Sequence, residues 1–168
     1  MASAPLRDFT SIEALRAAGF LDFVPLVSID VSAVPKEPGL YVVVRPTMDA
    51  PRFLEVSAGG RFKGRDPSVP VARLEARWLA DTPVVYIGKA GGGTSQEHLA
   101  GRIKAYRRFC NGEPVAHWGG RMICQLADLS ELLIGWRPSD GSVKTEDTAA
   151  IDEFSAQYGQ YPFANLRR

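Results

Sequence analysis

The chain has 168 residues, of which 45% are hydrophobic and 23% charged, a composition typical of one globular domain over residues 1–168. Twenty lysines and arginines against nineteen acids give a net charge of +1, which excludes a uniformly basic surface for nucleic acid. No apolar run approaches the ~20 residues of a membrane span, and the N-terminus lacks a signal-peptide pattern. We therefore expect no membrane partner. Because Cys110 and Cys124 form no CxxC motif, we also expect a cytoplasmic protein without disulfides or a zinc site.

Predicted helices and strands alternate along the chain. Apolar periodicity and capping boxes such as Thr94-Ser95-Gln96-Glu97 predict four helices, at about 10–19, 71–79, 94–109 and 145–158. β-Branched and apolar runs predict four strands, at 40–44, 84–87, 122–126 and 132–136. This order favours an α/β (α+β) domain in which a small central sheet of three to four strands is flanked by helices.

The helix predicted over 94–109 places one arginine at the edge of its apolar face. At ~100° per residue, Arg102 lies about 60° from the centre of the stripe that runs from Leu99 to Cys110. We therefore expect Arg102 at the edge of the sheet, partly shielded from water. A guanidinium there either binds a phosphate bidentately or covers apolar surface with its stem.

Five sequence elements occur in an order that matches a known nuclease family. Gly88-Lys89 is not part of a nucleotide P-loop, because positions 83 and 90 are Pro83 and Ala90. The five elements are Gly39-Leu40-Tyr41, Tyr86-Ile87-Gly88, Arg102, acids on a later helix, and Pro162-Phe163-Ala164-Asn165. Together they resemble the GIY-YIG endonuclease superfamily. The likeness is most detailed to the incising subunit of bacterial excision repair, through Tyr86-Ile87-Gly88-Lys89-Ala90 and the helix that follows.

The resemblance implies a metal-dependent endonuclease that hydrolyses DNA phosphodiester bonds. It implies that the hydroxyls of Tyr41 and Tyr86 converge on one face of the sheet, where one of them positions or deprotonates the attacking water. Arg102 would stabilise the charge on the phosphate, and Gly88 would permit a close backbone approach. Asn165 would orient a neighbouring group or the backbone.

The resemblance also implies a glutamate on the last helix that holds one Mg²⁺ or Mn²⁺ ion through oxygen. Three acids compete for this role. Glu146 has the expected residue type, Asp147 shares the stripe of Ile151 and points more squarely inward, and Glu153 has the spacing to Asn165 of the excision-repair members. We predict Glu146 as the catalytic and metal-binding carboxylate.

Local basic residues are the expected DNA contacts. The predicted nucleic-acid-binding residues are Lys89, Lys104, Arg107 and Arg108, in a segment of local positive charge that also includes Arg121. Arg61, Lys63 and Arg65 form a second basic turn. Sequence specificity, if the protein has any, would be built into this fold or supplied by a partner protein.

The chain departs from the family pattern in two places. The tyrosine motifs are separated by an insertion at about 46–83, which is either a substrate-reading element or a lid, and residues 1–35 form an N-terminal helical extension to a core over 36–168. The run His117-Trp118-Gly119-Gly120-Arg121 has no role that the sequence explains, although Trp118 could stack on a base.

The alternative function is a non-catalytic nucleic-acid or protein interaction module on the same scaffold.

Overall fold

A computed structural model describes residues 4–166 as an α+β domain built on one four-stranded antiparallel sheet. The strands are β1 (Leu21–Pro25), β2 (Gly39–Val44), β3 (Val84–Ala90) and β4 (Leu133–Pro138), in the spatial order β1-β4-β2-β3. The helices are α1 (Ile12–Ala17), α2 (Val71–Arg77), α3 (Leu99–Cys110) and α4 (Val143–Tyr158). Short 3-10 helices occupy Leu26–Ser28, Val31–Ala33, Phe62–Gly64, Arg121–Gln125 and Leu129–Glu131. The predicted fold class is confirmed.

The pleat of β2 divides the core into two layers. Leu40, Val42 and Val44 face α1 and α4, whereas Tyr41 and Val43 face α3. All six residues of β2 are buried because helices cover both faces of this central strand. Among residues 4–166, no helix is long and apolar enough to cross a membrane.

The strand predicted at 122–126 is wrong. Residues Arg121–Gln125 form a 3-10 helix, whose four residues from Met122 to Gln125 are all buried. A short, continuous apolar run does not distinguish a buried strand from a buried helix. Cys110 and Cys124 are buried free thiols between α3 and this turn, with their Sγ atoms 3.2 Å apart.

The N-terminal extension contributes a strand as well as a helix. Ser11 caps α1 by accepting a hydrogen bond from the Ala14 amide, as a capping residue does. β1 then pairs with β4 and widens the sheet. Asp22 and Phe23 adopt positive φ values of 73° and 64°, and the register shifts there. This bulge interrupts the alternation of apolar and polar residues from which a strand is predicted.

The insertion at 46–83 is fastened to the body of the domain. Gln125, which is fully buried, accepts from the Val69 amide and donates to the carbonyls of Val69 and Leu54. Arg77 on α2 donates to the carbonyls of Phe163 and Asn165. These contacts fix the insertion beside the C-terminal segment and the exposed edge of β3.

Candidate active site

A cleft of about 390 Å³ lies at the outer edge of β3 and gathers most of the predicted site residues. Its walls come from both faces of the sheet, because β3 is an edge strand whose successive side chains point to opposite sides. The side chains with polar or aromatic groups on its walls are Tyr41, Tyr86, Lys89, Glu97, Arg102, Trp118, Asp147 and Asn165.

Three tyrosines pack against one another under the cleft, with Tyr106 edge to face with both Tyr41 and Tyr86. Tyr41 lies 6.0 Å from Tyr86 and 6.2 Å from Tyr106, measured between ring centroids, and Tyr86 lies 5.6 Å from Tyr106. Tyr106 donates its hydroxyl hydrogen to the Gly120 carbonyl at 2.8 Å. Tyr41 is fully buried and Tyr86 is 7% exposed, so Tyr86 is the phenol of the pair that solvent in the cleft reaches.

Gly88 is required by the position of Tyr41. The two residues are directly opposite each other on β2 and β3. A Cβ atom at position 88 would lie 2.3 Å from Cζ and 2.5 Å from Oη of Tyr41, well inside van der Waals contact. The Tyr41 ring therefore lies flat against the backbone of β3, where only glycine leaves room for it.

Arg102 forms the wall of the cleft beside the tyrosines. Its side chain is 27% exposed, as the helical periodicity predicts, and Nη1 lies 3.6 Å from Oε1 of Glu97. Two buried polar atoms here, Arg102 Nε and Tyr41 Oη, have no hydrogen-bond partner within residues 4–166. The two side chains nevertheless interact, because, beside the effect of burial, Tyr86 raises and Arg102 lowers the pKa of Tyr41, so Tyr41, Tyr86 and Arg102 form one coupled polar group beside the cleft.

Burial keeps the two phenols of the cleft protonated. It raises the pKa of Tyr41 well above its ordinary value, with the neighbouring Tyr86 adding to the rise and the positive charge of Arg102 opposing it. Burial also raises the pKa of Tyr86, again against the charge of Arg102. At neutral pH both tyrosines are therefore hydrogen-bonding groups, and removing a proton from either requires additional positive charge.

Of the three predicted carboxylates, Asp147 is the one on the wall of the cleft. Its side chain is 6% exposed, and Oδ2 lies 3.7 Å from Nζ of Lys89. Burial raises the pKa of Asp147, and Lys89 opposes the rise. Glu146 points elsewhere, with Oε2 3.9 Å from Nη2 of Arg137. Glu153 accepts a hydrogen bond from Gln157 and does not line the cleft.

Asn165 is positioned by the edge of β3. Its side-chain Oδ1 accepts from the Ile87 amide at 2.9 Å, and its Nδ2 donates to the Ile87 carbonyl at 2.8 Å. One step earlier, the Ala164 amide donates to the Val85 carbonyl. The amide of Asn165 thus imitates a neighbouring strand and fixes the backbone between Tyr86 and Gly88.

The four predicted DNA contacts are not brought together. Lys89 lines the cleft, but Lys104, Arg107 and Arg108 lie about 140–240° around α3 from Arg102. Arg107 donates to the Ile29 carbonyl at 2.7 Å, and Arg108 pairs with Glu113 at 2.5 Å. These two arginines connect parts of the domain, whereas Lys104 is exposed on the far side of the helix.

The run from His117 to Arg121, unexplained in the sequence, covers the tyrosines. His117 is buried and stacks on Tyr106 at 3.8 Å between centroids, with neither ring nitrogen hydrogen-bonded within residues 4–166. Burial lowers the pKa of His117 well below its ordinary value, and the charge of Arg102 acts in the same direction. Trp118 and Gly119 line the cleft. The aromatic residues and glycines of this run are the sequence signal for close packing, here against Tyr106.

The donor set suits a divalent cation only with help from a substrate. Residues 4–166 contain no group of three or more histidine, cysteine or acidic side chains placed to hold a metal. Mg²⁺ usually keeps several waters and binds through one or two carboxylates plus phosphate oxygens. One carboxylate on a polar cleft, Asp147, fits that mode of binding.

Comparisons of this chain with protein-family models, with characterised proteins and with solved structures found no match.

Proposed function

We propose that this protein is a divalent-metal-dependent endonuclease that hydrolyses DNA phosphodiester bonds in the cleft beside β3. One observation carries the proposal: Tyr41, Tyr86, Arg102 and Asp147, which lie on β2, β3, α3 and α4, all line a single open cleft. Phosphodiester hydrolysis needs a cation on the phosphate, a group that orients water and a carboxylate for a metal ion. The cleft contains one side chain suited to each task.

Arg102 binds the scissile phosphate in this mechanism. Its guanidinium presents several donors in one plane, a geometry that matches two phosphate oxygens. Its partner Glu97 is 53% exposed at a distance of 3.6 Å, a weak surface pair that a phosphate can replace. Because Arg102 is partly shielded from water, its charge acts strongly on the negative charge that develops in the transition state.

The two tyrosines have different roles. Tyr86, the phenol that reaches the cleft, orients the attacking water with its hydroxyl. Tyr41 lies behind it, against Gly88, and is a positioning residue for Tyr86 and Arg102. Burial raises the pKa of Tyr86, so the positive charge of Arg102 alone does not remove its proton. Deprotonation would require a further positive charge in the cleft.

Asp147 replaces Glu146 in our assignment of the metal-binding carboxylate. A bound Mg²⁺ or Mn²⁺ would neutralise the phosphate and stabilise the leaving oxygen. Lys89, 3.7 Å from Asp147, places a second positive charge at the same end of the cleft. Glu146 instead contacts Arg137, whose Nη1 donates to the carbonyls of Ala4 and Ala18.

The decisive experiment compares neighbouring carboxylates in a plasmid-nicking assay with Mg²⁺ or Mn²⁺. Asp147→Asn and Arg102→Ala should each lower the nicking rate by at least about 100-fold, the usual effect of removing one stabilising group. Glu146→Gln is the matched control, since it removes a carboxylate one position away, and should stay within a few-fold of wild type. Loss of nicking in Glu146→Gln with retention in Asp147→Asn would reverse our assignment.

A second function is favoured by one observation, the ion pair itself. Lys89 already balances Asp147, the one buried carboxylate on the cleft wall within residues 4–166. A cleft balanced in this way also suits a non-catalytic module that binds nucleic acid or protein. Binding of plasmid, branched or damaged DNA with no nicking in either metal would establish the module and refute the nuclease.

A further inference from the structure

A cluster of arginines lies next to the cleft and is not used by the proposed chemistry. We define the basic shelf as Arg65, Arg73, Arg121 and the indole of Trp118. Arg65 and Arg73 belong to the insertion at 46–83, and Arg121 is the last residue of the run that covers the tyrosines. Trp118 lines the cleft, so the shelf begins where the cleft ends.

The guanidinium groups of the shelf are held close together without acidic partners. Cζ of Arg65 lies 4.4 Å from the centroid of the Trp118 ring, and Cζ of Arg121 lies 4.5 Å from it. Burial, then the charges of Arg73 and Arg65, lower the pKa of Arg121, which records their mutual repulsion. None of the three arginines has an ion-pair partner in the described part of the chain.

Stacking on an indole ring holds an arginine guanidinium in an orientation that suits phosphate binding. The aromatic face covers one side of the guanidinium plane, while the N–H groups at its edge remain directed outward. Arg121 uses Nη1 to donate to the Trp118 carbonyl at 3.3 Å. Its other N–H groups, together with Arg65 and with Arg73 on α2, form a basic surface whose mutual repulsion falls when an anion binds. Arg61, by contrast, already pairs with Asp66 at 3.3 Å.

We propose that the basic shelf binds the sugar–phosphate backbone of the DNA strand next to the scissile phosphate, so that the insertion is the substrate-reading element of the enzyme. The proposal rests on the nuclease function and adds the path of the substrate, which runs from Arg102 past Trp118 to Arg65 and Arg73. Recognition through phosphates implies that the shelf contributes affinity and position, not sequence preference.

The test is the salt dependence of DNA binding in EDTA, measured by fluorescence anisotropy with a short labelled duplex. Each phosphate contact adds about 0.9 to the slope of log K against log salt. The double variant Arg65→Gln/Arg73→Gln should lower that slope by about 2. From about 50 to about 200 mM salt its affinity should therefore fall on the order of tenfold less than that of wild type.

Three further variants make the result specific. Arg7→Gln removes an exposed charge from a segment that packs on the opposite face of the sheet, and should leave the slope unchanged. Trp118→Phe should bind like wild type, whereas Trp118→Ala, which removes the surface for two guanidiniums, should lower the slope. Because Arg65→Gln/Arg73→Gln relieves repulsion, its thermal midpoint should equal or exceed that of wild type.

The outcomes distinguish a failure of DNA binding by the basic shelf from a failure of the proposed nuclease activity. A wild-type slope in Arg65→Gln/Arg73→Gln overturns the shelf even if the protein cleaves DNA, and so does a wild type that binds no DNA. A lowered slope supports the shelf even if nicking is absent, in which case only the proposed chemistry fails.

Discussion

Replacing Gly88 with alanine tests the close approach on which the tyrosine geometry depends. The new Cβ would lie 2.3 Å from Tyr41 Cζ, and reaching the 3.4 Å of ordinary contact requires a shift of about 1.1 Å. The backbone of β2 does not move easily because it pairs with strands on both sides, and that of β3 is held by β2 and by the hydrogen bonds of Asn165 to Ile87. Overpacking of this kind costs about 1–3 kcal/mol, or about 2–4 °C in Tm for each kcal/mol in a chain of this size.

The same shift should also reduce activity. A displacement of about 1 Å at a reacting group costs on the order of 100-fold in rate. We expect Gly88→Ala to be folded at 25 °C, to melt a few degrees lower, and to nick plasmid about 100-fold more slowly. Gly141→Ala is the control, because its Cβ meets only a Glu146 oxygen at 3.9 Å. A Gly88→Ala protein that melts and nicks like wild type would refute the argument.

Three other perturbations follow from buried polar groups. Asn165→Ala leaves the amide and carbonyl of Ile87 unpaired, at about 1–3 kcal/mol each, so its urea midpoint should fall; an unchanged midpoint would contradict the role of Asn165. The lowered pKa of His117 stabilises the fold above pH 6.5 and this stability is lost as pH falls. His117→Phe, which keeps a ring on Tyr106, should remove that loss, up to about 1.4 kcal/mol per pH unit in wild-type urea titrations; equal pH dependence in both proteins would count against it. For Asp147, the raised pKa means that stability present below pH 3.8 is lost as pH rises, so Asp147→Asn should melt higher at pH 7, and a lower melting point would oppose this.

The regular elements were predictable because local pattern and burial agree there. The strand predicted at 40–44 is Gly39–Val44, the strand at 84–87 is Val84–Ala90, and the helix at 145–158 is Val143–Tyr158. Their runs are long, strongly apolar or periodic, and bounded by turn residues. The convergence of Tyr41 and Tyr86 was predicted too, and follows from the register that places Tyr41 opposite Gly88.

The errors in prediction come from one unusual local cap and from side chains with partners distant in sequence. The helix expected from Thr94 begins at Leu99, because His98 caps it by accepting from the Gly101 amide. The bulged strand β1 is held by its pairing with β4 and by Phe23, which packs on Gly135. The run of four residues from Met122 to Gln125 turns helical because Gln125 is bonded to the insertion. The partners of β1 and of Gln125 cannot be inferred from a local window, whereas the cap at His98 lies three residues from its partner.

The choice of carboxylate shows how far the rotation of one helix decides the chemistry. Glu146 and Asp147 are consecutive on α4 and therefore about 100° apart around its axis, so they face different surroundings. Residue type favours Glu146, whereas the apolar stripe through Ile151 already turns Asp147 inward. Helical periodicity is the better guide to which acid is buried, because packing fixes the direction in which each side chain points. The resemblance to the family indicates only the residue type.

Packing of the buried residues Ala150, Ile151 and Phe154 sets that rotation, and two ion pairs are consistent with it. Lys89 on β3 and Arg137 on β4 flank Leu40 of β2 on the same face of the sheet. Asp147 faces Lys89 and Glu146 faces Arg137, at 3.7 and 3.9 Å. Turning α4 so that Glu146 entered the cleft would move Ile151 and Phe154, which are 1% and 0% exposed, out of the core. The contact between Glu146 and Arg137 is too long for a hydrogen bond, so Glu146→Gln should leave Asp147 in the cleft, as its use as the control requires.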